Sequence, residues 1–276
     1  MKRKLSLILV ALLLSGAGRL LAQTTDTQPR DLFYDEVAVK EREPIPYDYV
    51  SESDVYWHKR VWRVIDVKEK MNLPFSYEGL DWSNLKPLIS VLRDAALANE
   101  ITVYDEDNFQ VALTPDVVSQ RGASVDTLPQ YDLQTGEVIG DTIMQRPFDP
   151  NKVLHWRVKE DWFFNKKTST MQVRIMGLAP LYYDEEAKIE TPLFWIYYPS
   201  SRSVLSHNEA FNPKNDAQRM SWDDMFQMRL FSSVIIKESN VFDRRIQEYA
   251  TGLDALRESD RIKEDIFNFE HDLWSY

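Results

Sequence analysis

The sequence contains no cysteine, and it has only eight glycines and four histidines among 276 residues. The lack of cysteine excludes disulfides, iron–sulfur clusters, cysteine-ligated zinc and a lipid-attachment cysteine. No glycine-rich phosphate-binding loop and no G-x-S-x-G nucleophile turn occurs in the chain. We therefore expect any tie of this protein to a membrane to come through a partner.

The histidines and the acidic residues do not form a recognisable catalytic or metal-binding pattern. No two histidines have the short spacing that a metal site on one element requires, so each is expected to be hydrogen-bonded or exposed: His58, His155, His207 and His271. The acidic triplets Asp105–Asp107 and Asp184–Glu186 lack the spacing of a calcium loop and are interpreted as solvated turns. The sequence predicts no catalytic, cofactor-binding or metal-binding residue and no cofactor.

Two alternatives remain open at this point, because each depends on three-dimensional geometry. A carboxylate-dependent hydrolase would need two opposed carboxylates, and a sugar-binding module would need a row of exposed tryptophans along one groove. A structural or binding role without catalysis is the preferred interpretation.

The charge balance restricts the partners. The formal net charge is −11, and no basic, aromatic stripe in the sequence offsets it. Phosphate backbones repel such a polyanion, so nucleic acid is not expected as a partner. The acidity is interpreted as a solvated surface.

The first 22 residues have the pattern of a secretory signal peptide. Lys2, Arg3 and Lys4 precede an apolar run from Leu5 to Leu14, and small residues follow before Ala22. The run is too short to span a bilayer, which needs about 20 residues. We therefore predict a signal peptide over residues 1–22, export from the cytoplasm without membrane insertion, and a flexible leader over residues 23–43.

The remainder, residues 44–276, is predicted to be a single α+β domain: an antiparallel sheet with helices packed around it and a helical C-terminus. A helix is expected over residues 85–96, and alternating apolar residues predict a hairpin over residues 154–176. Ser221 and Asp224 resemble a capping box that opens a helix over residues 222–235. Further helices are expected near residues 242–249 and 253–273.

Residues 114–150 differ in character, because they are rich in proline and glycine and have only scattered apolar residues. A long stretch of this kind inside a compact domain is often functional or disordered. We interpret it as an irregular excursion from the fold and as a candidate contact region.

Aromatic residues are the remaining candidates for function. They make up 12% of the chain, with eight tryptophans, and Trp and Tyr are enriched at binding hot spots. Two segments are candidates for partner contacts: an extended arm with Pro44 and Pro46, and a strand over residues 193–198 that is apolar on both faces. The second pattern indicates a central strand covered on both sides or one whose outer face meets another protein. The predicted partner-contact residues are Tyr47, Tyr49, Trp195 and Tyr197.

Several long, aromatic-rich segments also carry a family resemblance. Residues 193–199 with Arg202 and residues 209–212, and residues 258–264 with residues 269–274, resemble the C-terminal part of the GldN (PorN) family of gliding motility proteins. Residues 44–50 and 62–66 are similar to the beginning of the same family, and the resemblance spans residues 44–274.

The resemblance implies a role in an assembly. It implies a soluble periplasmic component of the type IX secretion system, without catalytic residues or cofactors. It also implies binding to an outer-membrane lipoprotein, GldK or PorK, in a self-associating ring at the inner face of the outer membrane. Contact with the periplasmic part of GldM or PorM is a further implication.

Overall fold

Long strands at the centre of the chain and short helices between them define the architecture. The strands are β1 (Val55–Asp66), β2 (Val103–Tyr104), β3 (Ser124–Tyr131), β4 (Val138–Arg146), β5 (Val153–Asn165), β6 (Thr170–Asp184), β7 (Ile189–Pro192), β8 (Trp195–Tyr197), β9 (Glu209–Ala210), β10 (Met220–Ser221) and β11 (Val234–Glu238). The α-helices are α1 (Leu88–Leu97), α2 (Pro115–Gln120), α3 (Tyr198–His207), α4 (Trp222–Gln227) and α5 (Leu253–Asp272).

The computed structural model describes Val39 and residues 41–79, 85–131, 138–184, 188–215 and 218–273; for β3 and β4 it describes the backbone alone. These residues belong to one compact unit that begins at Val37. The predicted signal peptide and most of the predicted leader lie outside the described residues.

Seven strands form one antiparallel sheet in the order β11–β1–β5–β6–β8–β2, with β7 paired to β6. The predicted hairpin is confirmed as β5 and β6, its two longest strands. Helices surround this sheet and α5 closes the described chain, so the predicted α+β class with a helical C-terminus is confirmed.

One face of the sheet carries the main hydrophobic core. Alternation along the strands places Ile65, Val158 and Ile196 on this face. Helices α1, α3 and α4 cover it with apolar side chains, and Phe75 packs among Trp156, Trp222 and Phe226. We call this the core face, and its burial supplies the main driving force of folding.

The core face also holds a buried carboxylate. Glu160 of β5 has no solvent exposure, and it accepts hydrogen bonds from Arg63 (3.1 Å), Arg229 (2.8 Å) and the indole of Trp162 (3.1 Å). A buried charge is tolerated only when it is paired and hydrogen-bonded. These contacts join β1, β5 and the segment before β11.

The opposite face of the sheet, which we call the outer face, is more polar. The register places Lys237, Trp62, Lys159 and Gly177 in one row across four strands. The loop after β2 folds onto this row, and the ring of Phe109 lies over Gly177. A Cβ at position 177 would come within 2.7 Å of that ring, so this glycine permits the close approach.

Several boundaries differ from the predictions. The helix predicted over residues 222–235 has the predicted capping box at Ser221 and Asp224 but ends at Gln227. The buried Asn72 binds the backbone of Ser232 through both side-chain atoms, at 2.8 and 3.0 Å, and β11 follows. The helix predicted near residues 242–249 is wrong: only a 3₁₀ turn, Ile246–Glu248, forms there.

Helix α1 confirms the predicted helix over residues 85–96, although it begins only after Pro87. Helix α3 was not predicted: its sequence carries four serines and follows directly on β8. Residues 114–150 are more regular than predicted. They contain α2 and a β3–β4 hairpin, and this hairpin is a separate two-stranded sheet.

Candidate interaction surfaces

An extended arm, residues 42–50, lies against α3, α4 and β6. Arg202 of α3 donates from Nη1 to the carbonyl of Ile45 (2.6 Å), and Arg174 of β6 donates to the carbonyl of Asp48 (2.5 Å). Arg42 pairs with Asp224 of α4 at 2.7 Å. Backbone carbonyls that an extended chain leaves unpaired are thus taken up by arginines, which fixes the course of the arm.

The two tyrosines of the arm have different environments. The ring of Tyr47 lies under the guanidinium groups of Arg202 (4.3 Å) and Arg174 (5.0 Å), and its hydroxyl accepts from Gln227 (2.8 Å). Burial raises its pKa. Tyr49 is 89% exposed. Tyr47 therefore anchors the arm within the molecule, and Tyr49 is available to a partner.

A buried ion pair, Arg202 with Asp223, fixes the arginine that binds the arm. Arg202 makes two hydrogen bonds of 2.9 Å to the carboxylate of Asp223, and the hydroxyl of Tyr198 donates to the same carboxylate at 2.7 Å. Burial and the negative charge of Asp223 raise the pKa of Tyr198. The tyrosine therefore stays protonated and can donate, and α3 and α4 are joined through this contact.

The strand predicted to be apolar on both faces is short and central. Trp195, 5% exposed, and Tyr197 both point to the outer face of β8, between β6 and β2. Tyr197 packs edge-on against Phe109 at 5.3 Å. The structure thus covers this strand with the chain's own loop; a partner contact through Trp195 or Tyr197 stays a prediction.

An apolar groove of about 640 Å³ opens beside α4. Exposed Met71 and Leu73 form one wall, and Tyr77 stacks on Phe211 at 4.1 Å in the other. Lys70 and Lys214 lie at its edges. Methionine-rich apolar surfaces of this kind adapt well to partner side chains. Sequence reasoning missed this groove because its residues come from distant segments.

A second exposed surface is the loop after β11. Val241 is 97% exposed and Phe242 is 72% exposed. The side chain of Asn240 holds this loop: its Oδ1 accepts from the backbone amides of Phe242 and Arg244, and its Nδ2 donates to the carbonyls of Glu238 and Arg244. A loop fixed in this way presents two apolar side chains to solvent without large entropy loss on binding.

The histidines and carboxylates do not assemble into a metal cluster within the described residues. His155 Nδ1 lies 2.5 Å from Glu190, and His58 lies 3.4 Å from Asp161. In the first acidic triplet, Asp105 pairs with Arg121 at 2.5 Å, and Asp107 accepts from the indole of Trp62 at 2.8 Å. The second triplet lies largely outside the described residues.

A comparison with models of known protein families shows which family the chain belongs to. The family model described as "Gliding motility associated protein GldN" matches residues 50–275. The chain belongs to the GldN family. The resemblance noted in the sequence is thereby confirmed, and the protein is a gliding motility associated protein. No curated protein matches the chain.

The GldN match covers the whole sheet, the groove, the Asn240 loop and α5, and it begins immediately after Tyr49. Family membership therefore bears on the folded domain, whereas the arm, except for Val50, precedes the matched residues. Across the part of the chain that the structure describes, no helix has the length and apolar character needed to cross a membrane.

Proposed function

We propose that this protein is a non-catalytic structural subunit of the type IX protein secretion and gliding motility machinery. In this proposal it forms a periplasmic ring with an outer-membrane lipoprotein of the GldK/PorK type and also contacts the periplasmic part of GldM/PorM. The family match over residues 50–275 is the observation that carries the proposal.

The surfaces of the molecule support a role in assembly. The apolar groove and the Asn240 loop are separate surfaces of one compact unit, lined by different segments of the chain. Identical subunits that meet through two different surfaces form rings when the rotation between them closes. Tyr49 offers a third contact, because it is 89% exposed although the arm around it is held against the fold.

We also propose that the protein acts in the periplasm, held at the inner face of the outer membrane by its lipoprotein partner. The basic and apolar pattern of residues 1–22 supports this location. Because the sequence has no cysteine, a lipid bound to a cysteine of this chain is excluded, and the proposal assigns the tie to the membrane to the partner.

Co-expression with the candidate lipoprotein, followed by electron microscopy of the purified material, tests the proposal. We expect closed rings or arcs that contain both proteins. If the two proteins appear only as small, separate particles at every salt concentration, the proposal is contradicted. Several salt concentrations are needed because screening weakens contacts between exposed charges. A preparation with the lipoprotein alone is the control for rings that do not need this chain.

A further inference from the structure

The outer face of the sheet contains a cavity of about 310 Å³ whose walls carry three basic residues (Arg157, Lys237 and Arg245) and four acidic residues (Asp105, Glu106, Asp107 and Asp243). The sheet contributes Trp62, Arg157 and Trp195, the loop after β2 contributes Asp107, and the segment after β11 contributes Arg245. We call this cavity the arginine pocket. Its size lies at the lower end of the range of small-ligand sites.

Arg157 is the unusual residue of the arginine pocket. It is half-buried in β5, and its Nε is buried without a hydrogen-bond partner. No described residue pairs with its guanidinium or with that of Arg245, which lies exposed at the mouth of the pocket. Burial lowers the pKa of Arg157, and the charge of Arg245 lowers it further. A buried charged donor without a partner is costly, so the fold maintains an unfavourable arrangement here.

The acidic residues around the pocket relieve this arrangement only in part: the charges of Glu190 and Asp107 favour the charged form of Arg157, but neither carboxylate forms a hydrogen bond with it, and most of the acidic residues of the wall have another partner. Asp105 pairs with Arg121 at 2.5 Å, and Asp243 pairs with Lys237 at 2.5 Å. Asp107 accepts from Trp62 at 2.8 Å and lies 3.6 Å from Lys159.

Glu106 is exposed and accepts from the side chain of Asn108 at 2.6 Å. Two arginines are therefore left for a ligand, in a protein whose net charge is −11. Charged groups whose pKa is shifted by burial and by a neighbouring charge cluster at functional sites.

We propose that the arginine pocket binds a single carboxylate of a peptide segment of a partner protein, with Arg157 and Arg245 as the donors. Arginine forks match the planar carboxylate, and such charge-assisted hydrogen bonds are about twice as strong as neutral ones. The indole rings of Trp62 and Trp195, with Pro192, provide apolar contact for the residue that bears the carboxylate. The acidic residues on the walls disfavour a doubly charged phosphate. This inference does not depend on ring formation.

Binding of three capped tripeptides tests the inference, with titration calorimetry of the purified protein at constant ionic strength. Acetyl-Gly-Glu-Gly-amide offers a side-chain carboxylate, acetyl-Gly-Gly-Gly offers a C-terminal carboxylate, and acetyl-Gly-Gln-Gly-amide offers none. We expect at least one of the two carboxylate peptides to bind and the neutral peptide not to bind. The ratio of the two carboxylate peptides' affinities shows whether the pocket prefers a side-chain or a C-terminal carboxylate. Inorganic phosphate should bind more weakly than the better carboxylate.

Three variants locate the binding. Arg157→Gln and Arg245→Gln should each weaken carboxylate binding by about tenfold or more, because each removes a charged donor. Arg244→Gln is the matched control: it removes the same charge from the neighbouring position, where the guanidinium stacks on Phe242 at 4.6 Å outside the pocket. Binding to this control should remain within about twofold of the unchanged protein.

The thermal midpoint of Arg157→Gln without ligand distinguishes a binding residue from a structural one. We expect it to equal or exceed that of the unchanged protein, since the substitution removes an unpaired buried charge. The inference is overturned if none of the carboxylate peptides binds, if the glutamine peptide or phosphate binds as tightly, or if Arg244→Gln loses as much affinity as Arg157→Gln. A lower midpoint in Arg157→Gln together with unchanged peptide affinity would assign Arg157 to the fold alone.

Discussion

Single residues decide how the arm is held. Arg202 contacts the arm carbonyl of Ile45, the ring of Tyr47 and the carboxylate of Asp223, so one side chain connects the arm with α3 and α4. Arg202 is 6% exposed and Asp223 is 5% exposed. When one member of a buried pair is removed, the other is left without compensation, and the cost exceeds what the pair contributes as a whole.

Asp223→Asn is therefore expected to lower the free energy of unfolding by about 3–5 kcal/mol, because it leaves the buried Arg202 without its counter-charge. Urea unfolding followed by circular dichroism measures this change. Asp254→Asn is the control, because Asp254 and Arg257 form an exposed pair at 3.3 Å. There we expect less than about 0.5 kcal/mol. Equal effects of the two substitutions on the free energy of unfolding would show that the buried Arg202–Asp223 pair contributes no more to stability than an exposed pair.

At the scale of elements, α5 is attached to the sheet separately from the other helices. It packs on β1 and β11 through a small cluster of buried residues, distinct from the main core: Val61, Ile235, Ile246, Ile262 and Ile266. Ser259 of α5 accepts the backbone amide of Ile235 at 2.9 Å, and Phe269 stacks on Trp57 at 4.7 Å. The helix therefore covers the edge strand β11, which would otherwise offer a free amide to another chain.

Ile262→Ala is expected to destabilise the attachment of α5 by about 2–5 kcal/mol, since Ile262 is fully buried and the substitution leaves a cavity. Hydrogen exchange by mass spectrometry should show faster exchange in α5 and little change in α1, because α1 packs in the separate main core. Phe267→Ala is the control on the same helix: this side chain is 66% exposed. Uniformly faster exchange of the whole domain would show that α5 and the core unfold as one unit.

On the scale of the whole molecule, the distribution of exposed apolar side chains is the feature that relates to assembly. Val241 and Phe242, Tyr49 and the walls of the groove expose large apolar side chains at separate places. Exposed apolar patches mark sites of protein–protein contact. The net charge of −11 keeps separate copies apart, so association must rely on local apolar contacts and on screening.

Phe242→Ser is expected to leave the free energy of unfolding within about 0.5 kcal/mol, because the ring is 72% exposed. The fraction of protein found in rings with the lipoprotein should fall, since an exposed apolar anchor is removed. Phe267→Ser removes an aromatic ring of similar exposure, 66%, from α5 and serves as the control. A similar loss of rings in both variants, or no loss in either, would exclude a specific role of the Asn240 loop.

The secondary-structure predictions that succeeded depended on signals within a single segment of the chain. The β5–β6 hairpin follows from alternation, and α1 and α5 follow from apolar residues three and four positions apart, so each could be predicted from its own segment. The helix predicted over residues 222–235 failed beyond Gln227 because the decisive contact, between Asn72 and Ser232, joins residues far apart in the chain.

By itself the sequence determined the α+β class, the exclusion of cysteine chemistry and the family, because composition, periodicity and long aromatic segments are properties of the linear chain. Only the tertiary structure decided that Tyr47 is an internal anchor while Tyr49 is exposed, and that Trp195 lies inside the fold. It also brought Trp62, Arg157 and Arg245 to one cavity. The physical reason is that burial and the convergence of charges depend on strand register and loop packing between distant segments, which no local pattern encodes.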